Sequence, residues 1–357
     1  MYLHINPHDE APVYRQIQRQ IARAITEREI HPGEPLLAQQ DLAAQLTVSP
    51  AAVGKAYCEL QADGLCQQSP GNRYRVTTPD LRATDGSRTD LALSLLQREF
   101  LTQELRTARD VQLRLLPPPE VRGSSWTVSS RCYPAGALAG DFYEVIQPDP
   151  HIVDVVAADV AGKGLAAGMI MATTKSLIPM AATLDSPAAA LGLINEKLCP
   201  LLNCREFVAL AYARLDTLTG VLQLANAGLP DPYLLRHTGT VDTLVVGGER
   251  FPLGIRSGIS YSTARFSVKD ADRLLLVTDG IPEAADATGR PIGYEGLAEL
   301  LDASADWAWD AATGRSSLWL DRLLEQVSHR TGSILDDDWT AVLLEYHLSR
   351  GNTPCNS

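Results

Sequence analysis

The sequence has no run of 18 uncharged, strongly apolar residues, and it carries fewer basic than acidic side chains. Its nearest candidate for a membrane span, residues 165–184, contains Lys175, Pro179 and many alanines, which favours a helix in water. The N-terminus lacks a basic head followed by an apolar run, so we expect no secretory signal. With 31 Lys and Arg against 43 Asp and Glu, the charge pattern excludes a general nucleic-acid-coating protein.

Cysteine is scarce and scattered. The six thiols form no Cys-x-x-Cys pair and have no His neighbour at the spacing of zinc ligands. Thiols spaced in this way favour a reducing compartment over a disulfide framework or a structural zinc site. We therefore expect a soluble cytoplasmic protein, and the 357 residues leave room for about two domains.

Residues 1–78 carry the pattern of a winged helix-turn-helix domain. Apolar periodicity and turn residues predict three short helices followed by a two-stranded hairpin. The predicted helices span residues 12–30, 40–46 and 50–63, and the predicted strands span residues 65–68 and 74–77. Ser49 is the expected N-cap of the third helix, with Pro50 at its first position.

Five short motifs in this region match one family of bacterial regulators. They lie at residues 12–17, 32–36, 41–43, 48–49 and 56–65. In these motifs the chain resembles the GntR family, which implies the winged helix-turn-helix fold. The arginines that this family presents to DNA are largely replaced. Residues 37–40 read Leu-Ala-Gln-Gln where the family usually has Pro-Ser-x-Arg, and the third helix begins Ser-Pro where the family usually has Ser-Arg.

Four residues of this domain remain as candidate contacts with DNA or with a partner protein. They are Ser49, Lys55, Arg73 and Arg75. Residues 1–80 hold seven basic and nine acidic side chains, whereas a DNA-binding module usually presents a basic surface. We therefore favour a sensing, dimerising or docking role over sequence-specific DNA binding.

A linker, residues 79–116, is predicted to join this domain to the rest of the chain. Residues 79–89 are polar and rich in turn formers, which is typical of a domain boundary. From Asp90, apolar residues spaced by threes and fours predict a helix that stops at the prolines 117–119. Such a helix could pair with its copy in a homodimer or pack against the domain that follows it.

Four aspartates lie beside apolar segments that are predicted to be strands. They are Asp141, Asp159, Asp279 and Asp337. Taken alone, Asp159 could simply cap the helix predicted at residues 165–182. Four converging carboxylates would repel one another, and divalent cations would offset that repulsion. Oxygen-only ligands favour Mg²⁺ or Mn²⁺, and a pair of such ions could activate water for attack on a phosphoryl group.

Ordered motifs around these aspartates extend the pattern over residues 106–347. They lie at residues 108–117, 140–143, 159–164, 226–228, 252–255, 278–280 and 337–340. With them the chain resembles the PPM-type serine/threonine phosphatases of the bacterial sporulation stage II and stress-response group. The resemblance implies an α-β-β-α sandwich over residues 117–347, followed by a tail at 348–357. The whole chain is thus expected to be an α/β (α+β) multidomain protein.

The resemblance also implies roles for individual residues. Asp159 would bridge two or more Mn²⁺ or Mg²⁺ ions, and the carbonyl of Val160 would bind one of them. Asp141 is expected at that ion, directly or through water, while Asp279 and Asp337 would complete the other site. The register Asp-Asp-x-Thr selects Asp337 from the run 336–338, leaving its two neighbours in supporting or solvated positions.

Two positions depart from the family pattern: Leu229 stands where His is usual, and Glu144 where Asp is common. Neither departure removes a predicted ligand. The leading hypothesis is a phosphatase that acts on a phosphorylated anti-anti-sigma (STAS-type) protein and is regulated by its winged-helix domain. The alternative is a GntR-like transcriptional regulator whose phosphatase-like half acts as a sensor or docking module.

Overall fold

The computed structural model describes residues 3, 5, 11–26, 29–69, 73–77, 86–286, 288–304, 316–331 and 335–348. The chain divides into two compact units, residues 1–101 and 102–357. No helix among the described residues is both long enough and apolar enough to cross a bilayer.

The first unit has the winged helix-turn-helix arrangement that the sequence predicts. Its elements are helices α1 (Val13–Thr26), α2 (Gln39–Leu46) and α3 (Pro50–Ala62) and the antiparallel strands β1 (Cys66–Ser69) and β2 (Arg73–Val76). Ile17 and Ile21 of α1 are fully buried together with Leu60 of α3. Helix α1 ends four residues before the predicted position because the amides of Glu29 and Ile30 both turn back to the carbonyl of Ala24.

Helix α4 (Gly86–Leu115) crosses the division between the two units. It begins inside the stretch 79–89 that the sequence assigned to a polar boundary, and residues 79–85 of that stretch lie outside the described residues. Small polar residues are common both in loops and in the first turn of a helix, so composition alone placed the start too late. The helix ends before the prolines 117–119, as predicted, because proline lacks the N–H that would continue it.

The second unit is a sandwich of two antiparallel sheets. Its strands are β3 (Glu120–Arg122), β4 (Trp126–Tyr133), β5 (Phe142–Asp149), β6 (Ile152–Val160), β7 (Val208–Asp216), β8 (Val221–Ala227), β9 (Tyr233–Leu235), β10 (Val241–Thr243), β11 (Ala264–Ser267), β12 (Arg273–Val277) and β13 (Trp339–Tyr346). One sheet has the order β10-β9-β12-β13-β4-β3 and the other β11-β8-β7-β6-β5. Strands β4 and β13 coincide with the strands that the sequence predicts at residues 126–133 and 339–346, whereas it predicts none of the short strands β3, β9, β10 and β11.

Helices cover the outer faces of both sheets, which confirms the predicted α-β-β-α architecture. Apolar residues of α5 (Leu165–Ala181) and α6 (Pro187–Leu198) pack with the five-stranded sheet, and those of α7 (Gly293–Ala303) and α8 (Ser316–Thr331) with the six-stranded sheet. A third apolar cluster fills the space between the sheets. Strand β6 contributes to two clusters, since Val155 faces the other sheet and Val156 faces the helices.

A buried ion pair anchors the end of α5 to the five-stranded sheet. The guanidinium of Arg214 donates to both carboxylate oxygens of Asp154 and to the carbonyls of Ala182 and Leu184. The hydroxyl of Tyr212 donates to the same carboxylate at 2.6 Å. Each buried charge is therefore paired and hydrogen-bonded, which is the condition under which burial of an ion pair is tolerated. The network holds the C-terminal end of α5 against the sheet.

Candidate metal centre

Asp141 lies at the end of the loop 134–141, which joins β4 to β5, and its side chain is buried. The hydroxyl of Thr278 donates to Asp141 Oδ2 at 2.7 Å. The same hydroxyl oxygen accepts the backbone N–H of Thr340 at 3.0 Å. Thr278 follows β12 and Thr340 belongs to β13, so the two central strands of one sheet orient a carboxylate that belongs to the other sheet.

Asp159 lies within β6, one residue before its end, and pairs across the sheet with Ala209. Helix α5 begins after Gly164, which has no side-chain cap. The alternative that Asp159 caps this helix is therefore wrong. A Cβ atom at Gly140 would lie 2.9 Å from the carbonyl oxygen of Val160, so only glycine lets the loop before Asp141 pass so close to that carbonyl.

Asp279 and Asp337 lie on two turns that touch through their backbones. A Cβ atom at Gly280 would lie 2.1 Å from the carbonyl oxygen of Asp338, so the turn after β12 tolerates no side chain there. Lys163 reaches the same region from the turn before α5. Its ammonium lies 3.3 Å from Asp337 Oδ2 and donates to the carbonyl of Asp336.

Burial and mutual repulsion raise the pKa values of three of these carboxyls. For Asp141, burial raises the pKa well above its ordinary value, the nearby Asp159 raises it further, and the Thr278 hydroxyl acts in the opposite direction. For Asp159, burial and then the charge of Asp279 raise the pKa to about 7. The pKa of Asp279 is raised by burial and then by Asp337. The four predicted aspartates therefore form one electrostatically connected row, 141–159–279–337.

The donor chemistry of this row fits a hard divalent cation. Among the residues that the structure describes, no three Asp, Glu, His or Cys side chains are placed to hold an ion as they stand. The row nevertheless offers carboxylate oxygens beside the carbonyl of Val160, and oxygen donors suit Mg²⁺ or Mn²⁺. A nearby cation would also oppose the burial and the repulsion that raise these pKa values.

The two departures from the family pattern both lie outside this row. Leu229 is buried in the cluster between the sheets, and its N–H donates to the side chain of Asn226 at 2.9 Å. Glu144 forms an ion pair with the buried Lys175 of α5, whose ammonium also donates to the carbonyl of Tyr143 at 3.0 Å. Glu144 therefore stabilises the contact between α5 and β5.

Gln112 and Asp338 also hold the loop that carries Asp141. The sequence predicted no role for Gln112 and a supporting or solvated position for Asp338. The Gln112 side chain of α4 donates to the carbonyl of Ala139 at 2.8 Å and accepts its N–H at 2.9 Å. Asp338 accepts N–H groups from Ala135 and Gly140, at 2.7 Å each. Both residues lie inside motifs that match the phosphatase family, at residues 108–117 and 337–340, and this match was the only signal in the sequence that could have indicated their roles.

Three of the four candidate contact residues of the first unit have partners within that unit. The hydroxyl of Ser49 caps α3 by accepting the N–H of Ala52, as predicted. The ammonium of Lys55 lies 4.2 Å from the ring centroid of Tyr14. Arg75 donates to the carbonyl of Gly33 at 2.9 Å. Arg73 is exposed on β2.

The raised pKa of Asp159 predicts how metal-free stability depends on pH. The folded-state pKa is about 7 against an ordinary value of 3.8, so the folded protein keeps a proton that the unfolded chain releases between these values. Stability is thus lost as the pH rises through this window. Asp159→Asn cannot ionise, so it should be more stable than the wild type at alkaline pH, by up to about 4 kcal/mol, and equal to it in acid.

Urea unfolding with a chelator present, followed by tryptophan fluorescence, measures this difference in the second unit, which contains all 5 tryptophans. Asp302→Asn, at an exposed position on α7, is the matched control and should follow the wild-type pH profile. Parallel profiles for Asp159→Asn and the wild type would contradict the repulsion inferred here.

Comparison with known proteins finds two family models that match different parts of the chain. The model of the family "Stage II sporulation protein E (SpoIIE)" matches residues 149–347, and that of "Bacterial regulatory proteins, gntR family" matches residues 13–76. The solved structure of the SiaA-PP2C domain of Pseudomonas aeruginosa covers 70% of this chain and 98% of its own, with 18% identity and a TM-score of 0.60. At that identity the likeness establishes the fold alone.

Two curated relatives come from Bacillus subtilis (strain 168). Phosphoserine phosphatase RsbP is 26% identical over 184 residues, covering 50% of this chain and 45% of its own length. Phosphoserine phosphatase RsbU is 24% identical over 196 residues, covering 54% and 57%. The chain thus spans about half the length of the curated relatives it matches. Since the first of the two family models covers more than half of the sequence, the protein belongs to the Stage II sporulation protein E (SpoIIE) family.

Proposed function

We propose that the protein is a metal-dependent phosphatase that hydrolyses phosphoserine or phosphothreonine in a protein substrate. The observation that carries this proposal is the row of four aspartates, in which Asp141 and Asp159 are desolvated and each has its pKa raised further by the charge of a neighbouring aspartate. Such an arrangement is costly to fold, and perturbed carboxyls of this kind cluster at functional sites. Two relatives named as phosphoserine phosphatases support the choice of reaction.

In this proposal Asp141, Asp159 and the carbonyl of Val160 would hold one ion, and Asp159, Asp279 and Asp337 the other. When bound, the ions supply an activated water and polarise the phosphoryl oxygens. The chain itself orients the donors, since the Thr278 hydroxyl fixes Asp141 and Gly140 lets its loop approach Val160.

Lys163 would supply positive charge at the edge of this site. Its side chain is 61% exposed and its ammonium lies beside Asp337, where it can attract a phosphorylated side chain from solvent. The sequence resemblance makes a phosphorylated STAS-type, anti-anti-sigma protein the proposed substrate class.

The wild-type protein should hydrolyse an aryl phosphate and a phosphoserine protein with Mn²⁺ or Mg²⁺, and lose this activity with a chelator. Asp159→Asn should lower kcat/KM by roughly 10²–10³-fold or more, because it removes the donor proposed to bridge both ions. Asp302→Asn, on the exposed face of α7, should keep wild-type rates. Full activity in Asp159→Asn, or an inactive wild type with every divalent metal, would rule the proposal out.

We further propose that α4 regulates the metal site through Gln112. This side chain is 7% exposed and satisfies both backbone groups of Ala139, two residues before Asp141. A shift of the helix would therefore break two hydrogen bonds in the loop that carries a ligand. Leu101, Val111 and Leu115 expose apolar surface on the same helix, which supports a homodimer in which α4 meets its copy.

Gln112→Ala should raise the Mn²⁺ concentration needed for half-maximal activity, because buried backbone groups of Ala139 lose partners worth about 1–3 kcal/mol. Gln103→Ala, at an exposed position on the same helix, is the matched control and should leave the metal dependence unchanged. Activity measured across a Mn²⁺ titration separates the two variants. Identical titration curves would remove Gln112 from the regulatory route.

We propose a docking or sensing role, rather than DNA reading, for the winged helix-turn-helix unit. Lys55 and Arg75 have partners inside the unit, and Pro50 and Ala51 are the exposed residues at the start of α3. In folds of this kind the helix that corresponds to α3 reads DNA. Helix α3 contains no arginine, so its start presents no guanidinium to DNA.

Fluorescence anisotropy of the full chain against genomic duplex fragments tests this role. We expect only non-specific binding, with a Kd of about 10⁻⁶ M or weaker, that disappears as salt rises to about 200 mM. A fragment bound near 10⁻⁸ M that resists this salt would instead favour the transcriptional regulator.

A further inference from the structure

Asp338 bridges two segments that are far apart in the sequence. Its carboxylate, at the start of β13, accepts the N–H of Ala135 on Oδ1 at 2.7 Å and the N–H of Gly140 on Oδ2 at 2.7 Å. The N–H of Asp141 approaches Oδ2 at 3.4 Å. One side chain therefore holds both ends of the loop 134–141, which carries Asp141.

An ionised carboxylate is suited to this position because both of its oxygens only accept hydrogen bonds. Three N–H groups point at it, so an amide side chain would turn its own NH₂ group toward at least one donor. Hydrogen bonds from backbone N–H groups to a charged acceptor are also stronger than those between neutral groups. The residue type thus follows from the donors around it.

Asp337, the residue before it, carries a carboxylate of the row. Asp337 Oδ1 accepts the backbone N–H of Asp338 at 2.9 Å, so the two carboxylates belong to one hydrogen-bonded turn. The carbonyl of Asp338 also packs against Gly280, beside Asp279. A movement of this turn therefore moves the Asp279–Asp337 end of the row and the Asp141 loop together.

We propose that Asp338 is a positioning residue that couples the two proposed metal positions. An ion at Asp279 and Asp337 would fix the turn, and Asp338 would then hold the loop so that Asp141 is in place for the other ion. Because coupling between sites is reciprocal, an ion at Asp141 favours the turn in the same way. This inference rests on the proposed function for the presence of the ions, while the clamp itself rests on hydrogen bonds.

Asp338→Asn tests the clamp, and Asp336→Asn is the matched control. Both variants remove one negative charge from the same run, but Asp336 is exposed and its contact with Lys163 uses only its backbone carbonyl. Isothermal calorimetry with Mn²⁺ on the full chain should show affinity roughly 10–100-fold weaker for Asp338→Asn, the usual cost of losing a residue that supports a ligand. Asp336→Asn should stay within about threefold of the wild type, a change that charge alone explains.

Hydrogen exchange gives a readout that a general loss of stability would not produce. In Asp338→Asn the amides of Ala135 and Gly140 should lose protection while strands β6 and β7 keep theirs. Saturating Mn²⁺ should restore kcat, because the residue acts through ligand placement and touches no substrate. Equal Mn²⁺ affinity in the two variants, or unchanged protection of both amides, would overturn the proposal.

If Asp338→Asn does not fold, Asp337→Asn provides the second test. In the wild type, Mn²⁺ should protect the amides of Ala135 and Gly140, and in Asp337→Asn that protection should require more metal. If Mn²⁺ protects these amides at the same concentration in Asp337→Asn as in the wild type, the coupling is refuted. The phosphatase assay is separate: an inactive wild type with an intact clamp refutes the proposed function, and an active wild type without a clamp refutes only the coupling.

Discussion

The structure depends on one constraint, which is the repulsion among carboxylates that share a desolvated space. Burial raises the pKa values of Asp141, Asp159 and Asp279. The charge of the next aspartate in the row then raises each of these pKa values further. A chain gains nothing in stability from such a row, because every member would be easier to fold as a neutral residue. The hydrogen bonds, glycines and buried networks around the row are therefore best understood as the means of holding it in place.

Both sheets of the sandwich hold the row of aspartates in place. Asp141 directly precedes β5 and Asp159 lies near the end of the neighbouring strand β6, where antiparallel pairing sets Phe142 opposite Ala158. Asp279 and Asp337 flank β12 and β13 of the other sheet, where Val277 pairs with Ala341. In each sheet the end of one strand thus lies beside the start of its neighbour. The row exists only while the apolar cluster between the sheets keeps these two edges together.

Much of this could be predicted from the sequence, for reasons that differ among the elements. Strand β13 is buried along its whole length between an apolar cluster and helices, so its composition alone marked its limits. The aspartates were found because acidic residues beside such strands have no role in the core. The position of Asp159 inside β6 was not foreseen, since a strand that continues through a charged residue resembles one that ends there. Short strands such as β9, with three residues, carry too few positions for any periodicity.

Asp338 shows where prediction from the sequence stops. Composition cannot distinguish three consecutive aspartates, and the motif register separated only Asp337 from its neighbours. What gives Asp338 its role is the set of N–H groups in a loop about 200 residues earlier in the chain, which only tertiary structure brings together. The same loop is held from its other side by Gln112 of α4. The loop that carries Asp141, a proposed ligand, is thus held by the turn that carries Asp337, another proposed ligand, and by α4. This position makes the loop the point at which the proposed regulation and the proposed metal binding would meet.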